Sequence, residues 1–328
     1  MWAAAQSRLS LLSRPFPTMH HVATVLSLST ALLSLPMPCA AEGPQRLFYS
    51  GHSLLDEPLP RDVAAIAASL GTPLAHWQHH TPAGSSMRDR AASLPPLAGH
   101  DTLIVTEQHT LIGNVVWNDS VGELRRLHER FVAANPQGRT WFYASWLNLD
   151  HSADPRRWIA YERAASPLWA CVATLAAAGR GHRIEFLPAA ALLAGLVERV
   201  LRGEVAGLGV AALLRDDVHL SALGSYFMSL AVYATLFERS PVGAAVPDGL
   251  DTSAARALQS AAWNLVQQER AQRETLSPDA CRERLRRFVA PYAAYVRDVV
   301  DRPRVGALRA WWLWARHRWQ WHWALRAP

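Results

Sequence analysis

Two short stretches carry residue types that could do acyl chemistry together. In Arg46-Leu47-Phe48-Tyr49-Ser50-Gly51-His52-Ser53-Leu54 an apolar, β-like run breaks at Gly51 and delivers Ser53 just past the break. A strand followed by a glycine turn can hold a hydroxyl at the carboxyl edge of a sheet, where open α/β sheets place their ligands. Far downstream, Arg215-Asp216-Asp217-Val218-His219-Leu220 sets a carboxylate three residues before an imidazole. One tight turn can carry both, so that the acid fixes the ring's tautomer while its other nitrogen takes a proton from Ser53. Asp217 competes with Asp216 for the orienting role.

Those side chains need a scaffold, and the hydrophobic pattern supplies one. Residues 46–50 read as the first strand, and 60–70 as a helix with Ala and Ile at helical spacing. Residues 74–77 read as a short second strand running into a loop at 78–86. The run 101–106 is apolar throughout, as in parallel sheets covered on both faces. Residues 120–134 form an amphipathic helix with Ser120 as its expected N-cap. Residues 139–144 are the next strand, with an exit loop at 145–151 in which Trp146 suits cleft or core equally. Helix 158–178, strand 183–187 and helix 189–202 continue the alternation. Helix 221–238 follows the Asp216–His219 turn and would pack it against the sheet. Beyond Pro241 the alternation ends: 251–271 and 277–300 read as two helices, the second interrupted at Pro291.

The motifs in this order resemble the SGNH hydrolases, or GDSL-type esterases, with Gly51-His52-Ser53-Leu54 standing where that family has Gly-Asp-Ser-Leu. The likeness runs from about Arg46 to about Arg239. Leu55 occupies the place of the second glycine of a nucleophile elbow, which weakens an α/β-hydrolase reading. The resemblance implies an α/β fold, a three-layer α/β/α flavodoxin-like sandwich with a parallel central sheet, here with a C-terminal helical extension. It implies Ser53 as nucleophile, His219 as base and Asp216 as the acid, since the family's acid sits three residues before the base. The oxyanion would be held by the N–H groups of Ser53 and Gly84. The family's third block, Gly-x-Asn-Asp, is missing after the strand at 101–106. Gln108 is the nearest chemical substitute, because its amide donates where ionised Glu107 can only accept, and Asn114 and Asn118 are alternatives. The implied activity is hydrolysis or transfer of an acyl group, such as acetyl, on a glycan or small ester, without metal or organic cofactor. The altered third block and His52 also admit a non-catalytic glycan-binding module on the same fold.

Composition bounds the rest. With 328 residues, half of them hydrophobic and 18% charged, the chain is globular, and a disordered reading is excluded. The net charge of +6 comes almost entirely from scattered arginine, with no zinc-finger spacing or long basic block, so no nucleic-acid partner is expected. His76, His79 and His80 fall close together, but on a strand His76 and His79 would face opposite sides and no acid lies among them, so no metal site is expected. Arg8 and Arg14 precede an apolar run over 22–35, and Pro36-Met37-Pro38-Cys39-Ala40-Ala41 supplies small residues before Glu42. This pattern predicts a signal peptide at 1–41, with Met19 as an alternative start, and hence a periplasmic or secreted protein. An oxidising compartment would permit a Cys171–Cys281 disulfide, and two buried thiols are the alternative. The expected organisation is an SGNH-like domain at 42–240, a helical extension at 241–301 and a tail at 302–328. In that tail Trp311, Trp312, Trp314, Trp319, Trp321 and Trp323 alternate with Arg309, Arg316, Arg318 and Arg326. Tryptophan beside arginine suits contact with a membrane surface, but a helical wheel does not separate the two types, so a disordered or docking tail is expected first.

Overall fold

The computed structural model describes residues 45–149, 154–205 and 207–325. The expected leader at 1–41, the exit-loop residues Asp150 and His151, and Arg326 lie outside the described residues. Five parallel strands, β1 (Arg46–Ser50), β2 (His76–His80), β3 (Thr102–Thr106), β4 (Arg139–Tyr143) and β5 (Ile184–Leu187), form one sheet in the order β2-β1-β3-β4-β5. The chain leaves β1 to one side and then doubles back to β3 on the other. The carboxyl ends of β1 and β3 therefore flank the topological switch point, the place where such sheets open a crevice.

Side chains alternate across the sheet with the strand period of two. Leu47, Tyr49, Ile104 and Tyr143 enter one core with helices α1 (Leu59–Ser69), α6 (Ala189–Leu201), α7 (Ala222–Phe237) and α8 (Thr252–Gln272). Phe48, Leu103, Val105 and Phe142 enter the other, with α2 (Met87–Ala91), α3 (Leu111–Trp117), α4 (Ser120–Ala134), α5 (Pro155–Ala177) and α9 (Pro278–Tyr295). The result is the three-layer α/β/α, flavodoxin-like sandwich that the resemblance implies, with a C-terminal helical region. Helices α8 and α9 add to opposite faces and share these two cores. A disulfide between Cys171 of α5 and Cys281 of α9, with Cα atoms 5.1 Å apart, ties the second of them down.

Local expectations fail where a neighbour overrides the pattern. The second strand starts two residues late and takes in Gln78, His79 and His80, which were expected in a loop. It is an edge strand and only half covered, so apolar side chains are not required of it. The N-cap of α4 is Asp119, in the left-handed region, whose carboxylate accepts the Gly122 N–H at 3.2 Å. Ser120 is instead buried, donating its hydroxyl to Glu107 at 3.0 Å. Pro291 does not interrupt α9. It sits on the exposed face, while Val289, Tyr292 and Ala293 stay buried on the other side.

The segment after α9 is ordered as well. A π-helical stretch, Val296–Asp301, leads into α10 (Arg302–Val305) and α11 (Ala307–Ala324). Trp321 of α11 inserts against Trp117 of α3 and Tyr292 of α9, with ring centres 5.4 and 5.0 Å away. The tail docks as a helix.

Candidate active site

The turn after β1 is built by close approach. A Cβ on Gly51 would stand 2.7 Å from Leu55 Cβ and 3.0 Å from Thr106 Cγ2, so only glycine lets the chain fold back against β3 here. His52 then points inward and Ser53 outward. His52 is buried, with Nε2 3.1 Å from the Glu107 carbonyl oxygen and Nδ1 3.4 Å from the Leu54 N–H. A carbonyl can only accept, so Nε2 carries the proton and Nδ1 accepts. Burial pushes the His52 pKa down to about 4, with Arg90 reinforcing the shift and the Glu107 carbonyl opposing it.

Ser53, His219 and Asp216 meet. His219 Nε2 lies 3.0 Å from Ser53 Oγ, and its Nδ1 lies 2.8 and 3.1 Å from the two Asp216 oxygens. Asp216 also accepts the backbone N–H groups of Val218 at 2.9 Å and His219 at 2.6 Å. Partial burial raises the Asp216 pKa, and these donors outweigh it, holding the carboxyl down at about 2. An ionised Asp216 requires a proton on Nδ1, which leaves the Nε2 lone pair facing the serine hydroxyl.

The exit loop of β4 holds this turn in place. The indole N–H of Trp146 donates to the Val218 carbonyl at 2.8 Å, and the Leu149 N–H to the Asp217 carbonyl at 2.6 Å. Asp217 turns away from His219 and accepts from Asn148 Nδ2 at 2.7 Å. Trp146 is buried in the core and also lines the cleft at Ser53, so it serves both roles. The loop is locked in turn by α5, where buried Glu162 accepts the Leu147 N–H at 2.7 Å and Trp158 donates to the Leu147 carbonyl at 2.8 Å. Burial raises the Glu162 carboxyl to about 8, against that backbone donor. On the far side Ser221 caps α7 and donates to the Ala212 carbonyl at 2.6 Å.

The expected oxyanion donors have unequal freedom. Among the described residues the N–H groups of Ser53 and Gly84 have no protein acceptor, and Gly84 sits at φ +67° with open space around it. Gln108 donates one amide N–H to the Gly84 carbonyl, which joins the two loops and leaves the second N–H unassigned. Both N–H groups of Asn114 are engaged, with the Gln108 carbonyl at 2.8 Å and Thr110 Oγ1 at 3.1 Å. Asn118 donates to Asn114 Oδ1 at 2.7 Å. Asn114 thus braces the start of α3, and Asn118, just past its end, ties back to Asn114.

Two buried charged residues that the sequence reading did not single out organise the same edge. Arg90 donates to the carbonyls of Ser85 at 2.8 Å and of Thr106, and to Ser50 Oγ at 3.3 Å, so it clamps the Gly84 loop to the ends of β1 and β3. Burial lowers its pKa to about 10, and the Glu107 and Asp89 charges oppose the drop, so it stays charged at neutral pH. Glu107 accepts the N–H groups of Met87 at 3.1 Å and Gln108 at 2.8 Å besides the Ser120 hydroxyl. Burial raises its pKa against those donors. The reachable signal was Ser86-Met87-Arg88-Asp89, a capping box that forms and starts α2, the helix that carries Arg90.

A cleft of about 70 Å³ opens at Ser53 and His219, walled by Leu54, Trp146 and Leu220 and edged by Asp56, Glu57 and Arg215. A larger cavity of about 610 Å³ lies between α5, α6 and α8 and contains none of the three residues. We take the small cleft as the site, because the reactive side chains are there. The three histidines of β2 do not converge. His79 Nδ1 lies 3.0 Å from Thr81 Oγ1 and 3.2 Å from Asp56, His80 bonds Ser93 Oγ at 3.0 Å, and the His76 ring faces His100.

This fold has solved counterparts. A DUF4886-family protein from Bacteroides uniformis superposes with a TM-score of 0.51 over 68% of this chain and 95% of its own, at 14% sequence identity. A Streptococcus pneumoniae protein provisionally assigned as a platelet activating factor aligns over 59% of this chain and 85% of its own, at 15% identity; its TM-score of 0.37 is too low to carry argument. No family model and no curated protein matches the chain. The likeness establishes the fold, and the chemistry must be argued from the residues.

Proposed function

We propose that this protein is a serine ester hydrolase of SGNH type, exported from the cytoplasm, that removes or transfers a small acyl group from a glycan or small ester. The observation that carries the reading is the unbroken hydrogen-bonded line from Asp216 through His219 to Ser53 Oγ. A structural serine turn has no need of an imidazole aimed at its hydroxyl with a carboxylate behind it.

In this reading His219 Nε2 takes the Ser53 proton as Oγ attacks the ester carbonyl. The N–H groups of Ser53 and Gly84 hold the oxyanion, with the free N–H of Gln108 beside them. Collapse expels the alcohol, which takes the proton from His219, and leaves an acyl-serine. Water, or an acceptor hydroxyl, then repeats the attack with His219 again as base. Asp216 keeps the ring in register and offsets its charge while it is doubly protonated. The narrow cleft supports a short acyl group, and the polar rim of Asp56, Glu57 and Arg215 supports a hydroxyl-rich alcohol portion. The disulfide supports export, since such bonds persist in oxidising compartments.

The test is a panel of short-chain aryl esters and acetylated sugars, run on the wild type and on Ser53→Ala, with fluorophosphonate labelling mapped by peptide. Activity abolished by the substitution and a label confined to Ser53 are expected. An inert Ser53 in a protein that still binds acetylated glycans would make it a binding module instead.

A further inference from the structure

Helix α11 sorts its tryptophans by face. It docks through Ala310 and Trp321, both buried, with Trp314 and His317 half-covered beside them. The opposite face carries Leu308, Trp312, Trp319 and Trp323, which are 90%, 58%, 66% and 56% exposed. Their spacing of four, seven and four residues puts them on one stripe of the helix. Arg309 and Arg316 follow from the same geometry as one flank of that stripe, and Arg318 as the other. A wheel that counts all the tryptophans together hides this, because Trp314 and Trp321 belong to the inward face.

The charge around the stripe has a single sign. From 302 to 325 the chain carries Arg302, Arg304, Arg309, Arg316 and Arg318 and no aspartate or glutamate. A convex row of indoles between guanidinium groups matches the boundary of a bilayer: indole rings settle at headgroup level, and arginine pairs with lipid phosphate. Among the described residues no helix is long and apolar enough to cross a membrane, so the fitting mode is lying on the surface. The helix also belongs to the reactive edge of the sheet. It packs on Trp117 of α3, the helix that follows β3.

We propose that α11 is an interfacial anchor that lays Leu308, Trp312, Trp319 and Trp323 on an anionic lipid surface, with Arg309, Arg316 and Arg318 against the headgroups. The anchor does not depend on the hydrolase reading, and its test uses no activity.

Full-length protein is sedimented with phosphatidylcholine vesicles with and without phosphatidylglycerol. Wild type is expected to pellet with the anionic vesicles, less so as salt rises, with a blue shift of its tryptophan emission. The Trp312→Ala/Trp319→Ala/Trp323→Ala variant, altered only at exposed positions, is expected to lose at least about tenfold in binding while its melting curve stays in place. Arg309→Gln/Arg316→Gln/Arg318→Gln should lose the preference for anionic lipid. Wild type that stays in the supernatant, or a tryptophan variant that pellets like wild type, overturns the proposal. So does gel filtration in which the wild type is a dimer, the tryptophan variant a monomer and neither binds vesicles, because the stripe would then seat a second copy of the chain.

Discussion

The indole N–H of Trp146 donates to the carbonyl of Val218 at 2.8 Å, and so a residue at the end of β4 fixes the turn that carries His219. Phenylalanine at 146 would keep much of the packing, losing this bond and leaving a small void. Such a bond contributes about 1 kcal/mol, so Trp146→Phe is expected to fold with a slightly lower Tm. Ester turnover should fall more than stability does, roughly tenfold in kcat with KM little changed, because the imidazole loses its aim. Steady-state kinetics beside a thermal melt distinguish this from simple destabilisation, in which kcat per folded molecule would hold.

Asp216→Asn removes the charge and keeps the shape. The amide could present an N–H to Nδ1 and select the wrong tautomer, turning a protonated Nε2 toward Ser53. Loss of about 10³- to 10⁴-fold in kcat is expected, with substrate affinity retained. Asp217→Asn should cost far less, since Asp217 faces Asn148 and not the imidazole. Equal effects in the two variants would remove Asp216 from its assigned role.

The division between what was legible in the sequence and what was not follows the range of the interactions. Strand and helix periods are local, so the sheet, its parallel sense and most element bounds could be read directly. Ser53, His219 and the Asp216/Asp217 pair stand out because each sits in a short segment whose spacing bears on its chemistry, and the choice of Asp216 over Asp217 comes from the family resemblance. The second strand was misplaced because an edge strand carries no apolar signature. Arg90 and Glu162 were missed, and Glu107 was weighed only for the oxyanion, because a buried ionisable side chain looks in sequence like any exposed one. Their partners are the ends of strands and loops brought close only by the fold. The Trp/Arg tail was unreadable as a mixture, since which tryptophans face inward depends on α3 and α9.

The neutral, buried His52 makes stability depend on pH in a defined window. Its folded pKa, about 4, lies below the ordinary value of 6.5, so between those pH values the unfolded chain binds the extra proton. The contribution is whole above pH 6.5 and is lost as pH falls toward 4, on the order of 3 kcal/mol in all. His52→Gln, which does not titrate, should show a flatter stability profile there by urea unfolding. His52→Asp, which restores the residue of the SGNH block, should be destabilising at neutral pH, because its carboxylate would face the Glu107 carbonyl.

The Cys171–Cys281 bridge joins residues 110 apart and pins α9 to α5. Closing so long a loop limits the unfolded chain, and replacing both cysteines by alanine is expected to cost roughly 2–5 kcal/mol. The loss should appear as a lower urea midpoint, and reducing agent should bring the wild type toward the variant. Activity of the folded fraction should be kept, since both cysteines are buried in a core that excludes Ser53 and His219.

In the proposed mechanism Gln108 is the third oxyanion donor. One of its amide N–H groups holds the Gly84 carbonyl and thereby sets the plane of the peptide that follows, and in the proposed mechanism the other meets the developing oxyanion. Gln108→Ala removes both effects. A lost oxyanion donor costs roughly 3 kcal/mol of barrier, so a fall in kcat of about 10²-fold is expected, with KM nearly constant because the ground-state carbonyl gains little from the same donor. Gln108→Glu should be as slow or slower, since a carboxylate offers no N–H and faces the Gly84 carbonyl with like charge. A drop below threefold in the alanine variant, measured on the best ester of the panel, would leave the oxyanion to the two backbone N–H groups and reduce Gln108 to a loop tie.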